Sequence, residues 1–362
     1  MSATMTEVAP ATTQLELMTA YGPVFRTVST SAPRDSLPDE IPVIDISTIY
    51  DGPEARRALA VKFKAAAENI GFFYIQNHGI GEQIVSNAAK QAWRFFRQPA
   101  DAKSKVSKTQ SKYYNGWSSV GSGKISPSES RDKKEGFQWK YEPSIDPDTK
   151  DPSQVPEEVK RWIRAEDFVW TGTAHLPDFQ KEVLEYWKAT LTLARQMMKV
   201  FALCLDLPET YFQALTSYPG ADGVFNYYPG LTPELAREDA GPIDVGLGAH
   251  TDLQCLTLLW QDQVGGLQVL NTRGEWIKAQ PIPGTFVVNI GDFLMRMSNG
   301  RLKSTVHRVY NRTTQDRLSM PFFLGFNFNE TCSVLPTCTD EDNPPQYEPI
   351  SCGEVSSHSH QL

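Results

Sequence analysis

The sequence predicts a mainly β protein with helical support, a double-sheet jelly roll preceded by an α/β region. Three observations carry that expectation. From Val224 onward, eight short apolar stretches alternate with Gly, Pro, Asn or Asp turns, the punctuation of antiparallel sheets. Ahead of them, three stretches place apolar residues at helical spacing, with a short apolar run after the first. Two of the later strands carry histidines in otherwise apolar surroundings, so the β-rich half also carries the candidate chemistry.

Composition bounds the rest. At 362 residues, 40% hydrophobic and 11% aromatic, the chain can bury a sizeable core in one large β-rich domain with a helical companion. A net charge of −8 argues against a nucleic-acid surface, which would be basic. The five cysteines are odd in number and unpatterned, which fits a reduced, cytoplasmic setting. No charged segment followed by an apolar run marks a signal peptide, and no stretch reaches membrane-spanning length, so we expect no membrane partner. A small-molecule substrate and a monomer or weak homodimer are the expectation.

In chain order, residues 1–38 are rich in Ser, Thr, Ala and Pro and read as a flexible arm. Ile41 to Ile46 reads as a strand. Residues 53–70 carry Leu59, Phe63, Ala66 and Ala67 on one helical face, and 72–75 form a short buried strand. His78 belongs to the turn Asn77-His78-Gly79 leaving that strand, a structural use rather than a ligand. A second amphipathic helix covers 84–96. The segment 112–141 is interrupted by glycines and dotted with aromatics; this loop and the strand after it are expected to line a substrate entrance through Trp117, Phe137 and Trp139. Residues 179–205 form a long scaffold helix. The strands are expected at 224–228, 246–250, 256–260, 267–270, 276–278, 286–290, 305–310 and 318–326. We therefore divide the chain into an arm (1–38), an α/β region with the scaffold helix (39–215), a jelly roll (216–330) and a tail (331–362), the tail ending in disorder.

Gly246 to Phe323 holds the chemistry. His250 and Asp252 stand two residues apart in G-A-H-T-D, so on a strand they share a face. His307 returns several strands later in S-T-V-H-R-V. Two imidazoles and a carboxylate make the facial triad of a non-haem Fe(II) site with open coordination positions. Arg317 and Ser319 share a face of the following strand and suit a carboxylate, the Arg by a charge-assisted fork. A zinc site is the alternative for the same three ligands, but no fourth ligand with suitable spacing is evident, and Arg-x-Ser has no role in a zinc hydrolase.

The run from His250 to Val309, followed by RLSMPFF, resembles the Fe(II)/2-oxoglutarate dioxygenases related to isopenicillin N synthase. IPVIDIS at Ile41 and NIGFFYIQNHGI at Asn69 resemble that family's N-terminal region. The resemblance implies a double-stranded β-helix, cupin-like, with the metal ligands inside it. It implies Fe(II), O2 and 2-oxoglutarate, the far carboxylate of the cosubstrate held by Arg317, Ser319 and Tyr228 with Asn226 beside them. It implies hydroxylation, desaturation or ring closure of a small metabolite, with release of succinate and CO2. The alternatives are an oxidase such as isopenicillin N synthase, which uses no 2-oxoglutarate, and a non-catalytic binding relative. Phe323 aligns with an aromatic that stacks on substrates in relatives, and alternation puts Val224 on the face of Asn226 and Tyr228. The sequence also departs from the family's plant pattern. Val224 replaces a basic residue, and Gly325 replaces a carboxylate that some flavonoid enzymes carry.

Overall fold

The computed structural model describes residues 11–19, 22–237 and 241–358. In chain order its strands begin with β1 (Thr12–Thr19), β2 (Gly22–Ser29), β3 (Arg34–Asp35), β4 (Val43–Asp45) and β5 (Phe72–Gln76). Next come β6 (Gly116–Ser118), β7 (Glu135–Trp139), β8 (Pro219–Tyr228), β9 (Leu247–His250), β10 (Leu256–Gln261) and β11 (Leu267–Leu270). The series closes with β12 (Trp276–Lys278), β13 (Phe286–Ile290), β14 (His307–Val309), β15 (Arg317–Asn327), β16 (Thr331–Cys332) and β17 (Ile350–Ser351). The larger helices are α1 (Pro53–Asn69), α2 (Glu82–Phe96) and, after the one-turn links α3 (Ala100–Ser104), α4 (Glu157–Lys160) and α5 (Phe168–Thr171), α6 (Phe179–Cys204). Two short helices follow, α7 (Asp292–Met297) and α8 (Cys352–His358).

Two sheets build the β core. One holds eight strands in the order β4-β5-β13-β10-β15-β8-β7-β6, the other five in the order β3-β12-β11-β14-β9. Their inner faces meet in an apolar cluster that draws Phe72, Tyr74, Val287 and Tyr228 from the large sheet and Leu267, Val269, Ile277 and Val309 from the small one. The eight expected strands all form, β11, β12 and β13 with the expected ends and the others with shifted ones. β8 starts earlier, at Pro219, and the expected 305–310 shortens to β14. Because β4 and β5 join the same sheet as β13, the N-terminal α/β region is built onto the jelly roll rather than beside it.

The large sheet is buried on both faces, which is why its strands read as nearly continuous apolar runs. Along β15, Leu318, Met320, Phe322, Leu324 and Phe326 face the helices, while Arg317, Ser319, Pro321 and Phe323 face inward. β5 divides in the same way, Phe73 and Ile75 outward and Phe72 and Tyr74 inward. Helix α6 lies across the outer face. Its Tyr186 hydroxyl donates to Met320 O at 2.8 Å and its Trp187 indole to Ala221 O at 3.3 Å. Gly71, with φ +70°, ends α1 against the segment leading to β14; a Cβ there would lie 1.9 Å from Lys303 O, so only glycine allows this approach.

The arm expected at 1–38 is corrected over its described part. β1 and β2 pair antiparallel, and their Leu15, Leu17 and Val28 pack with Ala249, Leu270, Trp276 and Val306. The alternation Leu15-x-Leu17 is short and the flanking residues polar, so composition concealed a strand whose partner surface is supplied by the small sheet. Leu17→Ala is expected to destabilise the protein by about 2–5 kcal/mol, read as a lower thermal midpoint, because a buried leucine leaves a cavity. The tail is packed further than expected. Cys332, Leu335, Cys338 and Cys352 join the main core through β16, β17 and α8, and the expected disordered end lies at residues outside the described ones.

Candidate active site

Pairing of β9 with β14 sets His250 directly opposite His307, their rings 4.3 Å apart. β9 ends at His250, so Asp252 lies in the loop beyond it; its carbonyl accepts from the Asp292 N–H at 2.7 Å, which ties that loop to α7. Asp252 Oδ1 then sits 3.5 Å from His250 Nε2 and 3.8 Å from His307 Nε2. All three ligand atoms lie within 4.8 Å of one another, a spacing one cation can span. The other atoms of each group are engaged elsewhere. His250 Nδ1 is 2.8 Å from Gly248 O and His307 Nδ1 is 3.1 Å from Thr305 O, so each Nδ1–H donates to the backbone and leaves Nε2 for a metal. Asp252 Oδ2 accepts from the Thr257 hydroxyl at 2.5 Å and the Asn289 amide at 2.7 Å.

Charge in this site is divided by the surroundings. Burial opposes ionisation of Asp252, but His307, His250 and Thr257 outweigh it and hold the carboxyl well below the usual carboxylate range. Burial, helped by the nearby His250, lowers His307 to about 4, so that imidazole is neutral as a ligand must be. His250 is shifted upward, because its contact with Asp252 outweighs burial. Metal uptake therefore competes with protonation of His250.

The triad opens into a cavity of about 50 Å³. Arg317, Ser319, Tyr228 and Asn226 line it from β15 and β8, where Arg317 pairs with Tyr228 and Ser319 with Asn226. Arg317 is fully buried. Its Nη2 donates to Gln261 Oε1 at 2.9 Å and its guanidinium lies 4.8 Å from the Tyr228 ring, yet Nε and Nη1 have no acceptor. Each buried donor left unmade costs about 1–3 kcal/mol, which a fold retains where a ligand supplies the acceptor. A buried guanidinium with two nitrogens lacking an acceptor, and the Ser319 hydroxyl lining the same cavity, fit a carboxylate, so the residues suit the far end of 2-oxoglutarate. The donor set of two imidazoles and a carboxylate suits Fe(II).

Of the expected pocket residues, the structure brings Val224 and Phe323 to the inner face. Val224 lies on the inward side of β8 with Asn226 and Tyr228, and Phe323 lines the cavity opposite Thr257. Trp117, Phe137 and Trp139 are corrected. β7 pairs with β8 so that Gly136 and Gln138 match the inward Asn226 and Val224, while Phe137 matches the outward Phe225. Phe137 and Trp139 are fully buried against Phe95, Trp170, Phe179 and Phe225, and Trp117, paired with Phe137, shares their side. Side chains alternate with period two, so these aromatics fill the layer beneath the helices and the intervening residues face the chamber. Trp139→Ala is expected to cost about 3–5 kcal/mol and to lower cosubstrate turnover and product formation in parallel. A fall in product alone, with the melting curve unchanged, would restore Trp139 to the pocket.

Sequence reasoning missed Thr257, Asn289 and Gln261. Thr257 and Gln261 are the polar residues of the otherwise apolar β10 and Asn289 that of β13, and polarity at inward positions of apolar strands is the signal that could have found them. At Gly325, a Cβ would lie 1.6 Å from Gln254 Oε1, so Gln254 fills the space that a side chain at 325 would occupy.

A jelly roll with an inward His-Asp-His set and a buried arginine facing the same cavity defines a non-haem iron oxygenase that draws on a 2-oxo acid. Comparison with known proteins agrees: residues 221–326 match the 2OG-Fe(II) oxygenase superfamily, and residues 41–158 match the N-terminal family described as non-haem dioxygenase in morphine synthesis. The 2-oxoglutarate-Fe(II) type oxidoreductase ppzC of Metarhizium rileyi is 43% identical over 347 residues, 95% of this chain and 93% of that one. A bi-functional coumaroyl CoA and feruloyl CoA ortho-hydroxylase of Ipomoea batatas is 31% identical over 88% of this chain and 80% of its own. A full-length Neurospora crassa protein, crystallised in complex with alpha-KG and thymine, superposes with a TM-score of 0.72 at 26% identity, covering 89% of this chain and 97% of that one. The chain belongs to the Fe(II)/2-oxoglutarate-dependent dioxygenases. It is an oxidoreductase that uses Fe(II), O2 and 2-oxoglutarate, and the oxidase and non-catalytic alternatives are not favoured. Among the described residues no helix is long and apolar enough to cross a membrane.

Proposed function

We propose that His250, Asp252 and His307 hold the iron, that Arg317, Ser319 and Tyr228 clamp the far carboxylate of 2-oxoglutarate with Asn226 alongside, and that Val224 and Phe323 contact the substrate. The observation that carries this reading is the pair of orphaned Arg317 N–H groups facing the cavity that holds the triad. Iron with 2-oxoglutarate and O2 supplies an oxidant able to take hydrogen from an unactivated C–H bond. The chain's own residues do the rest. Thr257 and Asn289 fix the Asp252 carboxylate, the Gly248 and Thr305 carbonyls fix the imidazole orientations, and Gln261 fixes the Arg317 fork. Phe72, Leu247, Leu259, Leu267, Val309 and Pro321 supply apolar walls that exclude water from the reacting groups.

The substrate is a small organic metabolite, and the reading places the reaction in secondary metabolism, as hydroxylation, desaturation or ring closure. Thymine in the Neurospora crassa complex and the CoA esters of the ortho-hydroxylase differ widely in size, so specificity rests on the walls of this chamber rather than on the shared iron site. A cytoplasmic location accords with five cysteines that are all unpaired and buried. The test is metal exchange. Protein stripped by a chelator should regain succinate formation from 2-oxoglutarate with Fe(II) and not with Zn(II); no succinate with Fe(II) restored would overturn the reading.

A further inference from the structure

β6 and β7 form the wall of the chamber on the far side of β8 from Arg317. Its inward positions are polar in a particular way. Lys134, just before β7, turns its ammonium to Asn226 Oδ1 at 2.7 Å. No carboxylate among the described residues lies within ion-pair distance of it. Ser118, at the end of β6, has a hydroxyl that makes no hydrogen bond among those residues. Between them, Gly136 carries no side chain. A Cβ there would have as its three nearest atoms Ser118 Oγ at 3.0 Å, Asn226 Oδ1 at 3.7 Å and Lys134 Nζ at 3.7 Å. The ground above Gly136 is thus ringed by a cation, a free hydroxyl donor and an amide, next to a residue that lines the iron cavity.

We propose that Lys134 and Ser118 form a carboxylate clamp for the oxidised substrate, distinct from the Arg317 anchor for 2-oxoglutarate. The Lys134 ammonium is half-buried with no counter-charge at ion-pair distance among the described residues; desolvation outweighs the longer-range attraction of Asp132 and lowers its pKa to about 8. A carboxylate lying over Gly136 supplies that counter-charge and accepts from both Lys134 and Ser118. The two anchors stand on opposite sides of β8: Arg317 and Ser319 on β15 pair with its Tyr228 and Asn226, while Gly136 pairs with Asn226 from the other edge. Two acids are therefore held side by side without competing for one site. The aliphatic Val224 leaves the inner face of β8 without a cation of its own, and Lys134 delivers one from the neighbouring strand. The proposal rests on the oxygenase reading and names the substrate class, an organic acid.

The test measures dissociation constants by ligand-observed NMR on the Fe(II)-loaded protein, kept anaerobic with saturating 2-oxoglutarate. The probes are benzoate, phenylacetate and hexanoate, each against its carboxamide. At least one acid should bind wild type about tenfold or more tightly than its amide, the scale of a charge-assisted contact. K134M should erase that preference, S118A should reduce it and K134R should keep it. The 2-oxoglutarate affinity of K134M should fall by less than that of the acid. The clamp is overturned if wild type prefers no acid over its amide, if K134M keeps the preference, or if K134M weakens 2-oxoglutarate as much as the acid. If wild type fails to bind 2-oxoglutarate at all, the oxygenase reading itself has failed; if 2-oxoglutarate binds and the acid preference is absent, only the clamp has.

Discussion

His307→Ala is expected to leave a folded protein that neither retains iron nor makes succinate. The triad offers one atom per residue, so removing one leaves two ligands and no replacement among the described residues. Loss of residues that merely orient a metal ligand typically costs 10–100-fold, so loss of a ligand should exceed about a hundredfold in turnover. The fold should survive, because β14 is held by its ladder to β11 and β9 and the His307 ring makes one edge contact, with Phe72, beyond the triad. Metal analysis after desalting, beside a thermal melt, checks this. Wild-type iron content in the variant would remove His307 from the site.

Arg317→Ala is expected to raise the KM for 2-oxoglutarate while leaving iron in place. Truncating one partner of a buried charge pair costs roughly 2–5 kcal/mol, which corresponds to about a 30-fold to few-thousandfold weakening. Gln261 Oε1 loses its donor in the same variant, while its amide nitrogen still donates to Ala279 O, so part of the effect comes from a buried carbonyl left unpaired. Arg317→Lys should recover little, since a lysine cannot offer two parallel donors to one carboxylate. The assay is initial-rate succinate formation across a cosubstrate series with iron content measured alongside. An unchanged KM with full iron would place the cosubstrate elsewhere in the cavity.

The β core was legible because its strands are short, apolar and separated by turn residues, and β11, β12 and β13 start and stop where that pattern does. The triad was legible for a different reason. Two histidines on apolar strands, with an aspartate two residues beyond the first, are conspicuous, whereas Thr257 and Asn289, which hold that aspartate, resemble ordinary strand residues until the register is known. The substrate wall failed on parity. Phe137 and Trp139 attract attention by size, but a sheet buried on both faces gives aromatics two places to go. Only the pairing of β7 with β8 shows that Gly136 and Gln138 face the chamber. The β1–β2 pair was hidden because the surface that stabilises it, around Ala249 and Trp276, lies more than two hundred residues away in the chain.

The central claim is that iron at the triad and 2-oxoglutarate at Arg317 act together. The most direct measurement follows O2 uptake and succinate formation in one vessel, with the Fe(II)-loaded protein and 2-oxoglutarate supplied or withheld. The account predicts O2 uptake only when 2-oxoglutarate is present, with one succinate formed for each O2 consumed. Uptake that proceeds without 2-oxoglutarate, or that yields no succinate, would contradict it.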